Sequence, residues 1–310
     1  MTIWPWSRDI RFNYFKTVRG VLDAAVKAYT EEKGATVERV KSEMNKHLEC
    51  FSVQYYTGKK PVNEYKKPLC RLAYLYCYVP ANANLCEIAL RSKGLLDFIL
   101  NRLNDEEEIK VCSFGGGPGT ELLALTKLLV GKRKSFPKST ITFTLLDEVE
   151  EWAESWGLIE REIRSFMKEK FGKTSSWPFI ISNSFVPFDM TDIGGYGNIK
   201  HLFGQDLYIL CYVLSEIFED EAIEGLKKLL SAMATTAKPG SKFLVIDRNE
   251  SSMAEKAVYL LKELGIDVSE IEESSTSMDV DEESSDLGMH FSDRKPRLTW
   301  NSFWIVGSKT

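Results

Sequence analysis

A glycine-rich turn between two apolar runs limits the folds open to this 310-residue chain. The turn lies within the sequence Val111-Cys-Ser-Phe-Gly-Gly-Gly-Pro-Gly-Thr-Glu-Leu-Leu123. Glycines let a backbone turn tightly and approach a ligand without hindrance from a Cβ atom. The leucine-rich helix predicted directly after them offers free N–H groups and the positive end of its dipole. The pattern predicts a strand, a ligand-binding turn and a helix in succession.

Two common nucleotide-binding motifs do not fit this turn. The dinucleotide motif G-x-G-x-x-G needs a third glycine at the position that Thr120 occupies. A phosphate-binding P-loop needs a lysine after its last glycine, and none follows Gly119. The turn therefore belongs to neither class.

Strand-like and helix-like runs alternate from residue 105 onward. The predicted helices lie at 120–130, 149–170, 219–236 and 251–264. The predicted strands lie at 109–114, 141–146, within 179–188, and at 207–214, 242–247 and 299–306. This alternation indicates an α/β fold with a parallel sheet and helices on both faces. In such sheets a ligand binds beyond the carboxyl ends of the strands.

The chain before this alternation has the apolar periodicity of helices. Residues 10–104 carry apolar side chains three and four positions apart. One predicted helix, 69–79, ends at Pro80, because proline interrupts helices. We therefore expect a helical N-terminal domain at 1–104, acting as a lid or substrate platform, and a second domain at 105–310.

Charge is distributed unevenly along the chain. Residues 269–286 carry eight acids and no Lys or Arg, and this segment is also rich in Ser and Thr. We expect it to be a flexible, solvated insertion; a phosphorylated regulatory loop is the alternative. Residues 1–104 carry 17 Lys or Arg against 10 Asp or Glu, so an anionic partner is compatible with this part of the chain.

Cysteine and histidine usage argues against a metal centre. The six cysteines include no C-x-x-C pair, and only three histidines are present, so we expect reduced thiols and no metal. No run of about 18 apolar residues is present, so no membrane span is expected. The first residues lack the apolar segment of a secretory signal. Together these features predict a cytoplasmic or nuclear protein.

The turn and a later carboxylate resemble the first two motifs of the class I S-adenosylmethionine (SAM)-dependent methyltransferases. The G-x-G-x-G pattern runs from Gly115 to Gly119, and Asp147 ends the apolar run Ile141-Thr-Phe-Thr-Leu-Leu-Asp147, 28 residues further on. The resemblance covers residues 105–310. It implies SAM as the cofactor and a Rossmann-like fold with a mostly parallel seven-stranded sheet.

The resemblance also implies which residues bind SAM. Asp147 would accept hydrogen bonds from both ribose hydroxyls, unless it only caps the next helix. Phe188-Asp-Met190 is similar to the element that contacts adenine, although an ordinary aspartate at a strand end is the alternative. The predicted cofactor-binding residues are Gly115, Gly116, Gly117, Pro118, Gly119, Thr120, Glu121, Asp147, Glu148, Asp189, Met190 and Tyr212.

The exit of the fourth predicted strand bears on the methyl acceptor. Leu210-Cys-Tyr-Val-Leu-Ser-Glu216 lacks the Asn/Asp-Pro-Pro-Tyr/Phe motif of many exocyclic-amine methyltransferases. Cys211 has no neighbouring proline and is interpreted as a packed thiol rather than a cytosine-C5 nucleophile. By their place in the fold, Tyr212, Ser215 and Glu216 are the candidate catalytic residues. Glu216 would be either a general base or an acid at a helix N-terminus.

A mixture of cations and aromatic residues in the N-terminal part is typical of RNA-binding surfaces. An exposed loop with packed tyrosines is the alternative. Protein or small-molecule methylation, and SAM binding without catalysis, also remain open, as does the oligomeric state. The predicted substrate-binding residues are Tyr56, Lys59, Lys60, Tyr65, Lys66 and Lys67, with Tyr55 and Arg71 beside them.

Two segments resemble, distantly, a mitochondrial family of ribosome-assembly methyltransferase-like proteins. They are Arg71-Leu-Ala-Tyr-Leu-Tyr-Cys-Tyr-Val-Pro80 and Tyr212-Val-Leu-Ser-Glu216. That family carries cysteines for an iron–sulfur cluster, and this chain has no matching group. A mitochondrial location is therefore not implied.

Overall fold

The computed structural model describes most of the chain. The described residues are 11–57, 62–92, 94–131, 139–192, 194–217, 223–250, 252–279, 282–291 and 294–310.

Among the described residues, five helices precede the first strand. They are α1 Tyr14–Lys33, α2 Val37–Thr57, α3 Val62–Tyr65, α4 Pro68–Leu90 and α5 Leu95–Asp105. The later helices are α6 Thr120–Val130, α7 Trp152–Phe171, α8 Leu214–Ile217, α9 Ile223–Thr236, α10 Met253–Glu263 and α11 Glu282–Phe291. The strands are β1 Glu108–Phe114, β2 Thr140–Asp147, β3 Ile180–Pro187, β4 Leu207–Cys211, β5 Lys242–Arg248, β6 Ile266–Val268, β7 Glu272–Ser277 and β8 Thr299–Lys309.

The strands form one sheet in the order β3-β2-β1-β4-β5-β8-β6, with β7 also paired to β8. Strands β1 to β5 are mutually parallel, and β8 runs antiparallel to β5, β6 and β7. The expected α/β class with a mostly parallel sheet is confirmed. The predicted number of seven strands is wrong, because β7 adds an eighth. The strand order reverses between β1 and β4: β2 and β3 are added on one side of β1, and β4 and β5 on the other. A ligand site is therefore expected beyond the carboxyl ends of β1 and β4.

Strand β7 and the start of α11 lie within the acidic segment 269–286, where the sequence patterns predicted no regular element. The predicted flexibility of this segment stays a prediction. Strand β7 pairs along the first half of β8, from Thr299 to Trp304, while β6 pairs with its last residues. Strand β7 is mostly exposed, and α11 begins at Glu282. The length of β8 explains the difference, because an 11-residue strand leaves backbone groups that a second partner strand can pair.

Alternate side chains of the strands enter two cores, one on each face of the sheet. In β1, Ile109 and Val111 belong to the first core, while Cys112 and Phe114 belong to the second. Helices α1, α2, α4, α5, α6 and α7 cover the first face, and α8, α9 and α10 cover the second. The first core is continuous from α1 to β8. Residue 104 therefore marks a change of secondary structure, while the core extends across it.

A buried polar network attaches the N-terminal helices to this face. The Tyr14 hydroxyl donates to Glu87 Oε2 at 2.8 Å, and Lys127 Nζ lies 3.2 Å from the same oxygen. The network thereby joins α1, α4 and α6. Helix α4 continues through Pro80, so the predicted end of the helix there is wrong. Its burial on both sides of the proline gives tertiary packing that outweighs the local cost of the proline.

Among the described helices, none is long and apolar enough to cross a membrane.

Candidate cofactor site

The glycine turn joins β1 to α6 at the carboxyl edge of the sheet. Gly115, Gly117 and Gly119 all have positive φ angles, between 46° and 85°, which glycine adopts without strain. A Cβ atom at Gly119 would lie 2.0 Å from two ring carbons of Trp156, a buried residue of α7. The last glycine is therefore required both by its conformation and by close packing against α7.

Asp147, at the end of β2, bonds directly to this turn. Its Oδ2 accepts the N–H of Gly117 at 2.8 Å, and its Oδ1 accepts the N–H of Val149 at 2.9 Å. The side chain is 7% exposed. Burial raises the pKa of Asp147 to about 6, against the two backbone hydrogen bonds, which favour the charged form. The structure thus brings together the two motifs that the sequence separates by a helix.

Glu121 lies in the first turn of α6 and is 2% exposed. Burial raises the pKa of Glu121 to about 7; the nearby Asp147 carboxylate acts in the same direction, while hydrogen bonding with its own backbone, Ser113 and Cys211 opposes it. Its Oε2 atom has no hydrogen-bond partner among the described residues. An unpaired buried carboxylate is costly, so this atom requires a donor from elsewhere.

The adenine element predicted at Asp189 and Met190 adjoins the start of the turn. A Cβ atom at Gly115 would lie 3.5 Å from Met190 Cε and 2.9 Å from Val213. The Asp189 carboxylate is exposed and accepts the N–H of Thr191 at 2.8 Å. Met190 is therefore close to the glycines, whereas Asp189 closes a local turn with one of its oxygens. Glu148 is exposed beside Asp147.

Tyr212 leaves β4 with a φ of 59°, which is uncommon for a residue with a side chain. Its hydroxyl lies 3.0 Å from Ser302 Oγ in β8, and burial raises its pKa. The N–H of Ser215 donates to the buried Asp247 at 3.0 Å, whereas Glu216 is exposed. Of the three candidate catalytic residues, Glu216 therefore has the accessible ionisable group. Its role stays a prediction.

Five aromatic residues, here called the aromatic cluster, pack beside the turn: Phe51, Tyr65, Tyr74, Tyr78 and Trp152. The rings of Tyr65 and Tyr74 lie 5.2 and 5.3 Å from Trp152, and Trp152 lies 3.7 Å from the position of a Cβ atom at Gly117. Sequence reasoning missed Trp152 and Trp156. Their spacing of four residues in the helix after Asp147 is the signal that identifies one helix face.

The predicted substrate-binding residues have different environments. Lys66 and Lys67 are exposed, and Lys67 Nζ pairs with Glu64 at 2.8 Å. Arg71 is 3% exposed, donates to the backbone oxygens of Tyr65 and Lys66, and pairs with Glu154 at 2.6 Å. Its predicted place in an RNA surface is therefore wrong, because its guanidinium holds α3 and α4 to α7. Lys59 and Lys60, and the side chains of Tyr55 and Tyr56, lie outside the described residues.

These residues fit SAM chemically. SAM carries a cationic amino group, a sulfonium and two ribose hydroxyls, which are complements for carboxylates. Two buried carboxyl groups adjoin the turn: Asp147, which accepts the N–H of Gly117, and Glu121, in the first turn of the helix that follows. Among the described residues, no group of three or more His, Cys, Asp or Glu side chains is placed to hold a metal ion.

Comparison with known proteins defines the class. A family model described as "Putative SAM-dependent methyltransferase" matches residues 57–263, more than half of the chain and including the turn and Asp147. The chain belongs to this family. Membership of this family is what the resemblance of its two motifs implied.

A curated relative is the 25S rRNA (uridine(2843)-N(3))-methyltransferase of Saccharomyces cerevisiae, 23% identical over 190 residues, which are 57% of this chain and 51% of the relative. The chain thus spans about half the length of the curated relative it matches.

Two solved structures show similarity in fold alone. An O-methyltransferase family protein from Burkholderia thailandensis is 10% identical, with a TM-score of 0.45, covering 88% of this chain and 71% of the other. The N-methyltransferase NodS from Bradyrhizobium japonicum, in complex with S-adenosyl-L-homocysteine, is 12% identical, with a TM-score of 0.36, covering 74% and 98%.

Proposed function

We propose that this chain methylates a base in RNA, with a ring nitrogen of uridine as the first acceptor to test. The single observation that carries the RNA acceptor is the yeast relative, whose name states an rRNA uridine substrate. Tyr65 and Tyr74 of the aromatic cluster support this choice, since they are partly exposed and offer surfaces on which bases stack. The other three members of the cluster are buried. The absence of the Pro-Pro motif after β4 agrees with an acceptor other than an exocyclic amine.

In this proposal the turn and its two buried carboxyl groups hold the cofactor. When bound, SAM supplies a methyl group on a positively charged sulfur. Asp147 orders the turn through Gly117 and accepts from the ribose, while Glu121 balances the cationic amino group. The remaining predicted cofactor residues line the same edge: Gly115, Gly116, Pro118, Gly119, Thr120, Glu148, Asp189, Met190 and Tyr212. Transfer then depends on how closely donor and acceptor are held.

The test is incubation of the full chain with methyl-tritiated SAM and, separately, RNA and protein fractions of cells. RNA is drawn from both cytoplasm and nucleus, where we expect the activity. Label in RNA that ribonuclease releases, and that co-migrates with a methylated uridine after digestion to nucleosides, is the expected result. Label found only in protein or only in small molecules would show that these, and not RNA, are the methyl acceptor. SAM binding without transfer to any fraction would indicate a non-catalytic SAM-binding protein.

Replacing Asp147 by Asn tests the cofactor site. An amide cannot accept hydrogen bonds through its nitrogen, so one backbone N–H, of Gly117 or Val149, loses its acceptor, as does one ribose hydroxyl. We expect SAM affinity, measured by calorimetry, to fall about 10- to 100-fold. Glu150→Gln, an exposed neutralisation three residues away, is the matched control and is expected to bind normally. Equal affinities in the two variants would exclude Asp147 from the site.

A further inference from the structure

Three exposed cations lie together in the short segment between α11 and β8. Arg294, Lys295 and Arg297 are exposed, whereas Pro296 between them is buried. The backbone of this segment is held in place: the buried Tyr76 hydroxyl donates to the carbonyl oxygen of Arg294, and the N–H of Arg297 donates to the carbonyl oxygen of Cys77 at 2.9 Å. The segment thus holds three positive charges at set positions in solvent.

This segment lies at the carboxyl edge of the parallel strands, where the cofactor site is. Strand β8 begins at Thr299 and runs antiparallel to β5, so that Ser302 pairs with Arg248 at the end of β5. The guanidinium of Arg297 lies 5.9 Å from the ring centre of Tyr78. Burial raises the pKa of Tyr212, and the charge of Arg297 acts on the same hydroxyl in the opposite direction. Arg297 is therefore close to the exit of β4, beside which the methyl acceptor is expected.

The aromatic cluster lies between these three cations and a second pair of cations, Lys66 and Lys67. Ring centres are 5.1 Å apart between Tyr78 and Tyr74 and 5.5 Å apart between Tyr74 and Tyr65, and Lys66 and Lys67 directly follow Tyr65. Carboxylates adjoin both ends: Glu49 lies 3.4 Å from Arg294, and Glu64 pairs with Lys67. Asp279 follows β7 near the same edge. Tyr65 and Tyr74 are the partly exposed rings of this row, and Tyr78 is buried beside Arg297.

We infer that Arg294, Lys295 and Arg297, here called the cationic rim, bind the phosphates of the single-stranded RNA whose base is methylated. The inference rests on the proposed function and adds its contact surface. Cations beside partly exposed tyrosine rings are the combination that single-stranded nucleic acid requires, since phosphates need charge and unpaired bases need flat apolar surfaces. The yeast relative, whose name states an rRNA substrate, favours RNA over an acidic protein segment as the occupant.

The test is RNA binding by the triple variant Arg294→Gln/Lys295→Gln/Arg297→Gln. Fluorescence anisotropy is measured with a labelled single-stranded RNA of mixed sequence over a series of salt concentrations. We expect affinity at moderate salt to fall by roughly 10- to 100-fold, and the slope of log K against log salt to become shallower by about 2, because each lost phosphate contact removes about 0.7. SAM affinity and the melting temperature are measured in parallel to show that the fold is intact.

The matched control removes three cations from the opposite edge of the sheet. Lys110, Lys238 and Lys262 are exposed near the start of β1, before β5 and at the end of α10. Their triple replacement by Gln changes the net charge equally and is expected to leave RNA affinity within about twofold. If both triple variants lost the same RNA affinity, the loss would come from the change in net charge, and the proposed role of the cationic rim would be overturned. Unchanged binding in the rim variant would also overturn it, whereas absence of RNA binding by the wild-type chain at low salt would overturn the proposed RNA acceptor itself.

Discussion

The Gly119→Ala variant is expected to lose about 3–5 kcal/mol of its free energy of unfolding. The added Cβ atom would lie 2.0 Å from Cε3 and Cζ3 of Trp156, and the φ of 85° is strained for any residue with a Cβ. Trp156 is 4% exposed and stacks on Phe143 with ring centres 5.8 Å apart, so its ring has no free space to enter. Urea denaturation measures the loss.

Measuring the same substitution in a second variant of the chain separates the cost of the clash with Trp156 from the cost of the strained backbone at Gly119. In a Trp156→Leu chain, the same Gly119→Ala change is expected to cost only about 1 kcal/mol, because the positive φ remains while the indole is gone. Gly157→Ala is the matched control: Gly157 is an exposed helical residue of α7, with open space around its Cβ position. It is expected to stabilise the protein by about 0.5–1 kcal/mol. Equal costs of Gly119→Ala in both backgrounds would contradict the packing argument.

The Glu121→Gln variant is expected to be more stable than the wild type at pH 8, and to bind SAM more weakly. Burial raises the pKa of Glu121 to about 7, from an ordinary value of 4.5. A raised pKa means that the folded state binds the proton more tightly than the unfolded state. The contribution to stability is therefore full at low pH and is lost as the pH rises from about 4.5 through 7, at about 1.4 kcal/mol for each pH unit.

Glutamine carries no charge and avoids this loss. Without SAM, its advantage over the wild type is expected to reach about 3 kcal/mol at pH 8 and to be much smaller at pH 5. SAM affinity is expected to fall about tenfold or more at pH 8, because the cationic amino group loses its buried partner. Urea denaturation and calorimetry at both pH values measure the two effects.

The exposed first-turn acid Glu255 of α10 provides a control, since Glu255→Gln should change neither stability nor SAM binding. A stability advantage that does not depend on pH would show that the Glu121 carboxylate is solvated. A pH-dependent advantage with unchanged SAM affinity would keep the burial argument but remove Glu121 from the cofactor site.

Much of the fold was predictable from local patterns. The alternation of apolar strands and helices predicted strands near those found for β1, β2, β3, β4, β5 and β8, because buried parallel strands require continuous apolar runs. Strand β7 was missed because it is an exposed edge strand, whose partner, not its own composition, determines pairing. Pro80 was misjudged because tertiary burial of α4 outweighs a local helix-breaking tendency.

The candidate site was likewise predictable in part from the sequence. The glycines and Asp147 were predictable, since a tight turn and a strand-end carboxylate each have a local signature. Arg71 was predicted to be a surface cation. It is instead buried, and it pairs with Glu154, which lies 83 positions further along the chain. The cationic rim was missed because its residues follow the acidic segment by only a few positions, and only the antiparallel return of β8 places them at the site.

The amino-acid sequence by itself determined the strand–turn–helix unit, the order of α and β elements and the methyltransferase class, because backbone freedom and apolar periodicity act within a few residues. Only the tertiary structure decided which charged groups are buried and which reach solvent at the carboxyl edge. Both outcomes depend on contacts between distant segments: burial raises the pKa of Glu121, whereas Arg297 stays exposed.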